Sequence, residues 1–358
     1  MKKVWRRVLI AAALLLAAVA AYVIYVFAAY RRLPDRLVLE VDKTGESADF
    51  EGEVFWERES YSIMTYNIGF GAYQPDYSFF MDGGESSWGK DEESVRQAVC
   101  GAAQMVESEN PDFVLLQEVD RDGTRSYHID ELELFNRYIE GYYYIYAQNY
   151  DSPFLFFPPT EPHGANRAGL VSYSRGEIKE TLRRSLPISE SFSRFVDLDR
   201  CYSIARIPVK DGKMLCLYNM HMSAYGSSDE IRAGQLSMLY EDMEADHAAG
   251  NYVICGGDFN HNLRPESQEN APEWACLFPR ESLPEGFRMA MDEAESAEDI
   301  AHNSCRDAGE PYNAETTYTV TLDGFIVSDN VIVDRYEHMD CGYQFSDHDP
   351  VVMEFTLQ

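Results

Sequence analysis

The sequence predicts an α+β fold, two β-sheets packed face to face with helices outside, preceded by one membrane-spanning helix. Three observations carry this. Short apolar runs with strand character recur from Tyr61 to the C-terminus. Stretches with helical spacing interrupt them. Residues Val8 to Tyr30 form 23 consecutive positions without a charge. Many strands with interspersed helices indicate two sheets packed together with helices outside.

The N-terminal run comes first. As a helix it would extend about 35 Å, enough to cross a bilayer core with some tilt. A buried helix of a soluble protein seldom shows such a run framed by arginine pairs, here Arg6-Arg7 and Arg31-Arg32. A cleaved signal peptide is the alternative, because Ala18-Val19-Ala20 offers small residues for cleavage. Apolar residues continue past that point through Tyr22, Ile24 and Phe27, so the expectation is an uncleaved anchor. Four basic residues precede the run and two follow it. The positive-inside bias then leaves the N-terminus cytoplasmic and the large domain extracytoplasmic. The domain plan is a stub and anchor over residues 1–32, a tether over 33–59, and one domain over 60–358. The tether is polar and mixed, and an edge strand is its other reading.

Tyr61 to Asn67 predicts a strand running into a loop over 70–90 that is rich in glycine and aromatics. Asp91 to Ser108 predicts a helix, with Val95, Ala98, Val99, Ala102, Met105 and Val106 at helical spacing. Asn110-Pro111 ends it. Asp112 to Val119 reads as a buried strand. A second helix is expected over 129–140. Strands follow at 142–149, 168–174, 177–184, 201–209 and 214–221, with a proline-rich loop over 151–166. A third helix near 228–248 places Leu236, Leu239, Tyr240 and Met243 on one face. Asn251 to Asn260 is a strand with a polar end. Residues 261–315 hold 13 acids, 4 arginines and 5 prolines and read as an irregular acidic insertion. Strands resume at 317–328, 331–338 and 350–357.

Composition bounds the function. Hydrophobic residues make up 45% of the 358 positions, enough for a large core, and 13% aromatics exclude a disordered chain. The formal net charge is −31, and six of the 30 basic residues lie in the first 32 positions, where there is no acid. The rest of the chain therefore sets 24 basic against 61 acidic groups, a net −37. That field repels polyanions and argues against broad electrostatic binding of nucleic acid. None of the seven cysteines forms a CxxC pair, so they read as small buried hydrophobes rather than zinc ligands. Asp120-x-Asp122 with Glu131 resembles a calcium loop, but Gly123 is misplaced for one. His128, His163, His247, His261, His302 and His338 lack a motif and read as surface residues. His163 and Arg167 are weaker candidates for substrate contact.

The chemistry sits at strand ends. Met64-Thr65-Tyr66-Asn67, Leu115-Leu116-Gln117-Glu118, Tyr218-Asn219-Met220-His221, Gly256-Gly257-Asp258-Phe259-Asn260 and Ser346-Asp347-His348-Asp349-Pro350 each join a hydrophobic run to Asn, Glu, Asp or His. Converging on one cleft, they would suit phosphoester hydrolysis. Glu118 with Asn67 or Asp347 offers oxygen ligands to a hard divalent cation. An imidazole can move a proton or stabilise phosphoryl charge near neutral pH. A carboxylate can activate water, and asparagine side chains can hold developing charge. Any one of these groups alone could be a satisfied strand-end residue; the conjunction carries the reading.

These patterns, in this order, resemble the endonuclease/exonuclease/phosphatase superfamily, whose deoxyribonuclease I-like fold is shared by apurinic endonucleases, neutral sphingomyelinases and inositol polyphosphate 5-phosphatases. Leu322-Asp323-Gly324-Phe325-Ile326-Val327-Ser328 and Ala168-Gly169-Leu170-Val171-Ser172-Tyr173-Ser174-Arg175 extend the match. The resemblance covers roughly residues 60–358. It implies a four-layered αββα sandwich and a magnesium-dependent site, with manganese as a substitute. Glu118 would be the main metal ligand, with Asn67 and Asp347 beside it. His221 would contact the phosphate, Asp258 would orient or deprotonate water, and Asn260 would bond a phosphate oxygen. Asp323 would fix the tautomer of His348, the catalytic imidazole.

The 70–90 loop and the 261–315 insertion match nothing the family assigns. The expected substrate is therefore argued from charge. Arg121, Arg125, Arg167, Arg175, Arg232 and Arg264 are scattered cations, enough for one phosphate ester. The aromatic loop and Phe154 to Phe157 would supply apolar walls. This favours a small or lipid-borne phosphoester over DNA, with a catalytically silent binding module as the reading from another class. The intact set of site residues argues against silence.

Overall fold

The computed structural model describes residues 2–45, 51–189, 198–210, 212–223, 228–264, 271–272, 274–294 and 296–358. Parts of the tether (46–50) and of the acidic insertion (265–270, 273 and 295) lie outside the described residues.

The elements follow one another as α1 (Lys2–Ala29), β1 (Asp42–Lys43), β2 (Ser60–Asn67), α2 (Glu92–Glu109), β3 (Phe113–Gly123), α3 (Glu131–Phe135), β4 (Tyr143–Asp151), β5 (Asn166–Ser174), β6 (Glu180–Ser185), β7 (Cys201–Pro208) and β8 (Met214–His221). Then come α4 (Asp229–Ala248), β9 (Tyr252–Asp258), β10 (Phe287–Met289), β11 (Cys305–Arg306), β12 (Thr319–Val320), β13 (Asp323–Ser328), β14 (Val331–His338) and β15 (Val351–Leu357). One sheet has seven strands in the order β1-β4-β5-β3-β2-β15-β14, and the other has six, β10-β13-β9-β8-β7-β6. The inner core fills the space between them with Ile63, Phe113, Leu115, Leu217, Ile254 and Phe355, all fully buried. On the outer face of the seven-stranded sheet, Val95, Val99, Ala102 and Val106 of α2 pack on Met64, Val114 and Val171. On the outer face of the other, Leu239 and Met243 of α4 join Cys216 and Tyr218. The result is the four-layered α+β sandwich.

Alternation explains the two faces. Ile63, Phe113 and Leu115 point to the inner core, while Met64, Val114 and Leu116 point to α2. The helix ends are explicit too. Asp91 accepts a hydrogen bond from Ser94 N at 2.7 Å to cap α2. Asn110 closes it in the left-handed region at φ 50°. Inside the core a polar bridge crosses the sheets. Gln117 donates from Nε2 to Asn219 Oδ1 (2.9 Å), and Asn219 donates from Nδ2 to the carbonyls of Leu116 (3.1 Å) and Val171 (2.9 Å).

Three expectations differ from the structure. The second helix is short: beyond Phe135 the chain bonds i to i+3, from Arg137 N to Leu134 O and Tyr138 N to Phe135 O. The 317–328 strand is two, because at Thr321-Leu322 the chain leaves β11 for β9, with Leu322 N donating to Ser304 Oγ. The acidic insertion carries structure as well: β10 extends the six-stranded sheet, and β11 pairs with β12. The 33–59 segment adds the edge strand β1 and buries Phe55 against Tyr61 and Phe113.

Candidate active site

Two parallel pairs, β2–β3 in one sheet and β8–β9 in the other, deliver their C-terminal ends to the same edge of the sandwich. In the six-stranded sheet His221 and Asp323 are both register partners of Asp258, so three site residues form one row. Gly257 precedes Asp258 at φ 140°, and a Cβ there would lie 2.0 Å from Met220 O. Only glycine lets the two strands approach there.

Glu118 is placed by a bulge. The β3–β5 register shifts between Leu116 and Val119, and Glu118 adopts φ 55°. The extra residue breaks the alternation, so Gln117 stays between the sheets while Glu118 faces the cleft. Asn67 stands beside it. Its Nδ2 is 3.1 Å from Asp258 Oδ2 and 3.4 Å from Glu118 Oε1, and its Oδ1 accepts from Gly69 N at 3.0 Å. The amide therefore meets both carboxylates with its N–H side.

His221 is buried, with Nε2 3.6 Å from Asp258 Oδ2 and 3.9 Å from Glu118 Oε1. Burial, then Arg200 and His348, holds its pKa well below the usual imidazole range. His348 is the opposite case. Burial pulls it down, but Asp323 and then Cys305 together outweigh this and hold it well above that range. The contact with Asp323 is direct: His348 Nδ1 to Asp323 Oδ2 is 2.7 Å. Ser304 Oγ donates to the same Asp323 oxygen at 2.7 Å and accepts from Leu322 N and Asp323 N. The other ring nitrogen, Nε2, lies 3.8 Å from Asp258 Oδ2.

Asp258 is pushed up to about 7, first by burial and then by the nearby Asp323, against the pull of His348. It accepts from Asn260 N at 2.8 Å, which fixes the turn in which Asn260 sits at φ 48° and donates from Nδ2 to Met222 O. Asp347 is raised as well, by burial and by Glu118, with His348 and Arg306 opposing. All eight residues singled out from sequence surround this edge of the sandwich. Glu118, His221, Asp258, Asn260, Asp347 and His348 line one cleft of about 750 Å³. Asn67 and Asp323 stand behind it, bonded to the lining groups.

A divalent cation fits the donor set. Glu118 and Asp347 are oxygen donors, and Glu118 lies close enough to disfavour the charge on Asp347. A hard cation between them would remove that conflict while keeping several waters. Asp258, Asp323 and His348 also offer ligand atoms within 4.8 Å of one another. There His348 Nδ1 and Asp323 are already bonded, so this group reads as a proton-handling unit.

The structure adds residues that the sequence did not disclose. Ser304 and Arg306 come from the acidic insertion. Arg306 donates to the carbonyls of Tyr73 and Gln74, both at 3.2 Å, and so holds the aromatic loop. Of the six scattered arginines only Arg125 lines the cleft, joined by Arg200 and Arg306. Arg125 pairs with Asp120 (2.7 Å) and lies 3.8 Å from the Phe70 ring centroid. Asp120 and Glu131 are thus structural: Glu131 accepts from Asp120 N at 2.8 Å. Phe70, Tyr73 and Phe79 form an apolar wall as expected, whereas Phe154 to Phe157 do not line the cleft. His163, His261 and His338 are buried rather than on the surface, because each spends Nδ1 on a backbone carbonyl.

A family model described as Endonuclease/Exonuclease/phosphatase family matches residues 64–348. Solved structures share the fold. An endonuclease/exonuclease/phosphatase from Beutenbergia cavernae is 19% identical, with 84% of this chain and 72% of that one covered and a TM-score of 0.59. A family protein from Bacteroides thetaiotaomicron is 17% identical over 84% and 98%, with a TM-score of 0.54. D. rerio TDP2 complexed with single strand DNA product is 15% identical over 83% and 99%, with a TM-score of 0.54. A search of the curated proteins found no significant match.

Proposed function

This chain belongs to the endonuclease/exonuclease/phosphatase family, and from that premise we propose a divalent-metal-dependent phosphoester hydrolase, held in a membrane, that acts on a small or lipid-borne phosphoester. The observation that carries the reading is the convergence of Glu118, Asp347, Asp258, His221 and His348 on one cleft from four separate segments.

Glu118 and Asp347 would hold magnesium, or manganese in its place. Bound there, the ion would neutralise phosphate charge and polarise a phosphoryl oxygen. Asn67 keeps Glu118 and Asp258 in position through its N–H. Asp258, raised to about 7, is matched to taking a proton from water near neutral pH. His348, kept protonated by Asp323, offers a charged N–H from Nε2 to a phosphoryl oxygen. His221, held neutral by burial, and Asn260 complete the donor set around the phosphate. Hydrolysis of bis(p-nitrophenyl) phosphate should vanish with EDTA and return with magnesium or manganese. Activity indifferent to chelation would refute the metal assignment.

DNA is the competing substrate, because one structural neighbour carries a single strand DNA product. Against it stand the net −37 beyond the anchor and a cleft with three arginines, of which Arg125 is already paired with Asp120. A DNA enzyme would show a rate falling steeply with salt.

For the domain plan we take residues 1–32 as cytoplasmic stub and anchor, 33–59 as the connection, and 60–358 as the extracytoplasmic catalytic domain. The helix Lys2–Ala29 is long and apolar enough to cross a membrane. The full-length chain should sediment with membranes and resist carbonate wash, and external protease should release the domain from intact cells. A soluble product beginning near Ala21 would identify a cleaved signal instead.

A further inference from the structure

The loop joining β4 to β5 grips the membrane helix. Phe154 N donates to Tyr25 Oη at 3.1 Å, and Tyr22 Oη donates to Phe154 O at 3.1 Å. The Tyr22 and Phe156 rings meet edge to face at 5.3 Å. Lower on the chain, Tyr30 Oη donates to Asp199 at 2.9 Å. The loop is thus fixed at the depth of Tyr22 and Tyr25.

That depth can be placed on a bilayer. Seventeen residue steps separate Trp5 from Tyr22, and twenty separate it from Tyr25. At helical rise these are about 26 and 30 Å, the thickness of a hydrocarbon core. Trp5 at one end and the two tyrosines at the other then occupy the two aromatic belts of a spanning helix. Whatever is bonded to Tyr22 and Tyr25 lies at the membrane interface on the domain's side.

The loop is made for that level. Ser152 to Thr160 contains no charge in a domain otherwise crowded with acids. Leu155 turns inward and bonds with Gly164, while Phe156 and Phe157 point out, 60% and 67% exposed. Two exposed adjacent phenylalanines have no place on a water-facing surface of this charge, but they suit the headgroup–acyl boundary. Arg31, just past the end of α1 on the domain's side, matches anionic headgroups.

We propose that Phe156 and Phe157 form a foot that enters the same bilayer as α1, so that the domain is held on the membrane by two contacts rather than swinging from one. Rings continue from the foot towards the cleft: Phe157 to Phe80 (5.9 Å), Phe80 to His163 (5.6 Å), His163 to Phe79 (5.9 Å), and Phe79 lines the cleft. The inference rests on the anchor reading and deepens it: the cleft works at a fixed height above one leaflet, where phosphoester headgroups lie.

The test uses the full chain in phosphatidylcholine vesicles with and without 5-doxyl phosphatidylcholine. Phe157→Trp adds emission over the unsubstituted chain. That added emission should fall at least about twofold with the nitroxide lipid and resist acrylamide, as expected for a ring at the acyl boundary. Leu277→Trp, at an exposed site elsewhere, should behave in the opposite way. Added emission at residue 157 that is open to acrylamide and blind to the nitroxide overturns the foot while leaving the anchor standing. A chain that carbonate removes from the vesicles fails the anchor reading and takes the foot with it. Hydrolysis of bis(p-nitrophenyl) phosphate by Phe157→Trp should stay within about twofold, since the ring is outside the cleft; a larger loss would mark a structural role and count against the foot.

Discussion

Glu118→Ala, Asp258→Ala and His348→Ala should each lower kcat on a soluble phosphodiester by on the order of 10² or more, the scale of losing a key electrostatic or acid–base group. The three act on different parts of one event. On the proposed reading Glu118 holds the cation together with Asp347, so its loss should also raise the magnesium concentration needed for half-activity. Asp258 lies 3.6 Å from His221 and 3.8 Å from His348, at the centre of the row. On the proposed reading its removal would deprive water of its base, and it leaves two imidazoles without their shared carboxylate. Double variants should lose less than the product of the single losses, because the groups act as a unit. Steady-state kinetics at saturating magnesium, with circular dichroism to verify folding, decide the matter. Any one variant retaining a rate within about threefold of the parent would remove that residue from the mechanism.

Asp323→Asn should cost on the order of 10² at pH 7.5, although Asp323 is outside the cleft lining. The carboxylate raises the His348 pKa while burial lowers it. With asparagine in place the main support for the imidazole's proton is gone, so the His348 pKa should fall and the charged N–H at Nε2 should be depleted. The pH profile separates this from a structural defect. In the parent, kcat/KM should rise along an acid limb with an apparent pKa no higher than about 7, the raised value of Asp258, since a bound cation can only stabilise that carboxylate. Above it the rate should hold, because His348 stays protonated beyond the ordinary imidazole range. In Asp323→Asn the rate should instead decline as pH rises through the range where the freed imidazole loses its proton. A variant with the parent's rate and profile would dissolve the Asp323–His348 pairing.

The sequence made the strand-end residues legible because each closes an apolar run, and such runs are what sheet formation reads. It did not disclose the bulge at Glu118. Leu-Leu-Gln-Glu-Val alternates as any buried strand would, and the extra residue appears only against β5. Ser304 was equally hidden. It sits in an insertion without periodicity, and its bond to Asp323 exists only once the two segments are side by side. Phe154 to Phe157 were visible as apolar but not as to what they face: composition measures hydrophobicity, and the partner here is α1 rather than the cleft. The histidines show the same gap, since burial of His163 or His338 depends on a carbonyl that the fold brings to Nδ1.

The site as a whole draws Glu118 and Asn67 from one sheet, and His221, Asp258 and Asp323 from the other. All seven cysteines are free, so no disulfide aligns those halves. The Gln117–Asn219 bridge, two residues or fewer from Glu118 and from His221, is the rivet between them. Shear of one sheet over the other by a single residue step, about 3.3 Å, would exceed the tolerance of every contact in the site. Catalysis is thereby made a gauge of sandwich alignment. Turnover should be forfeited as soon as the two sheets slip, while each sheet on its own still holds its strands together.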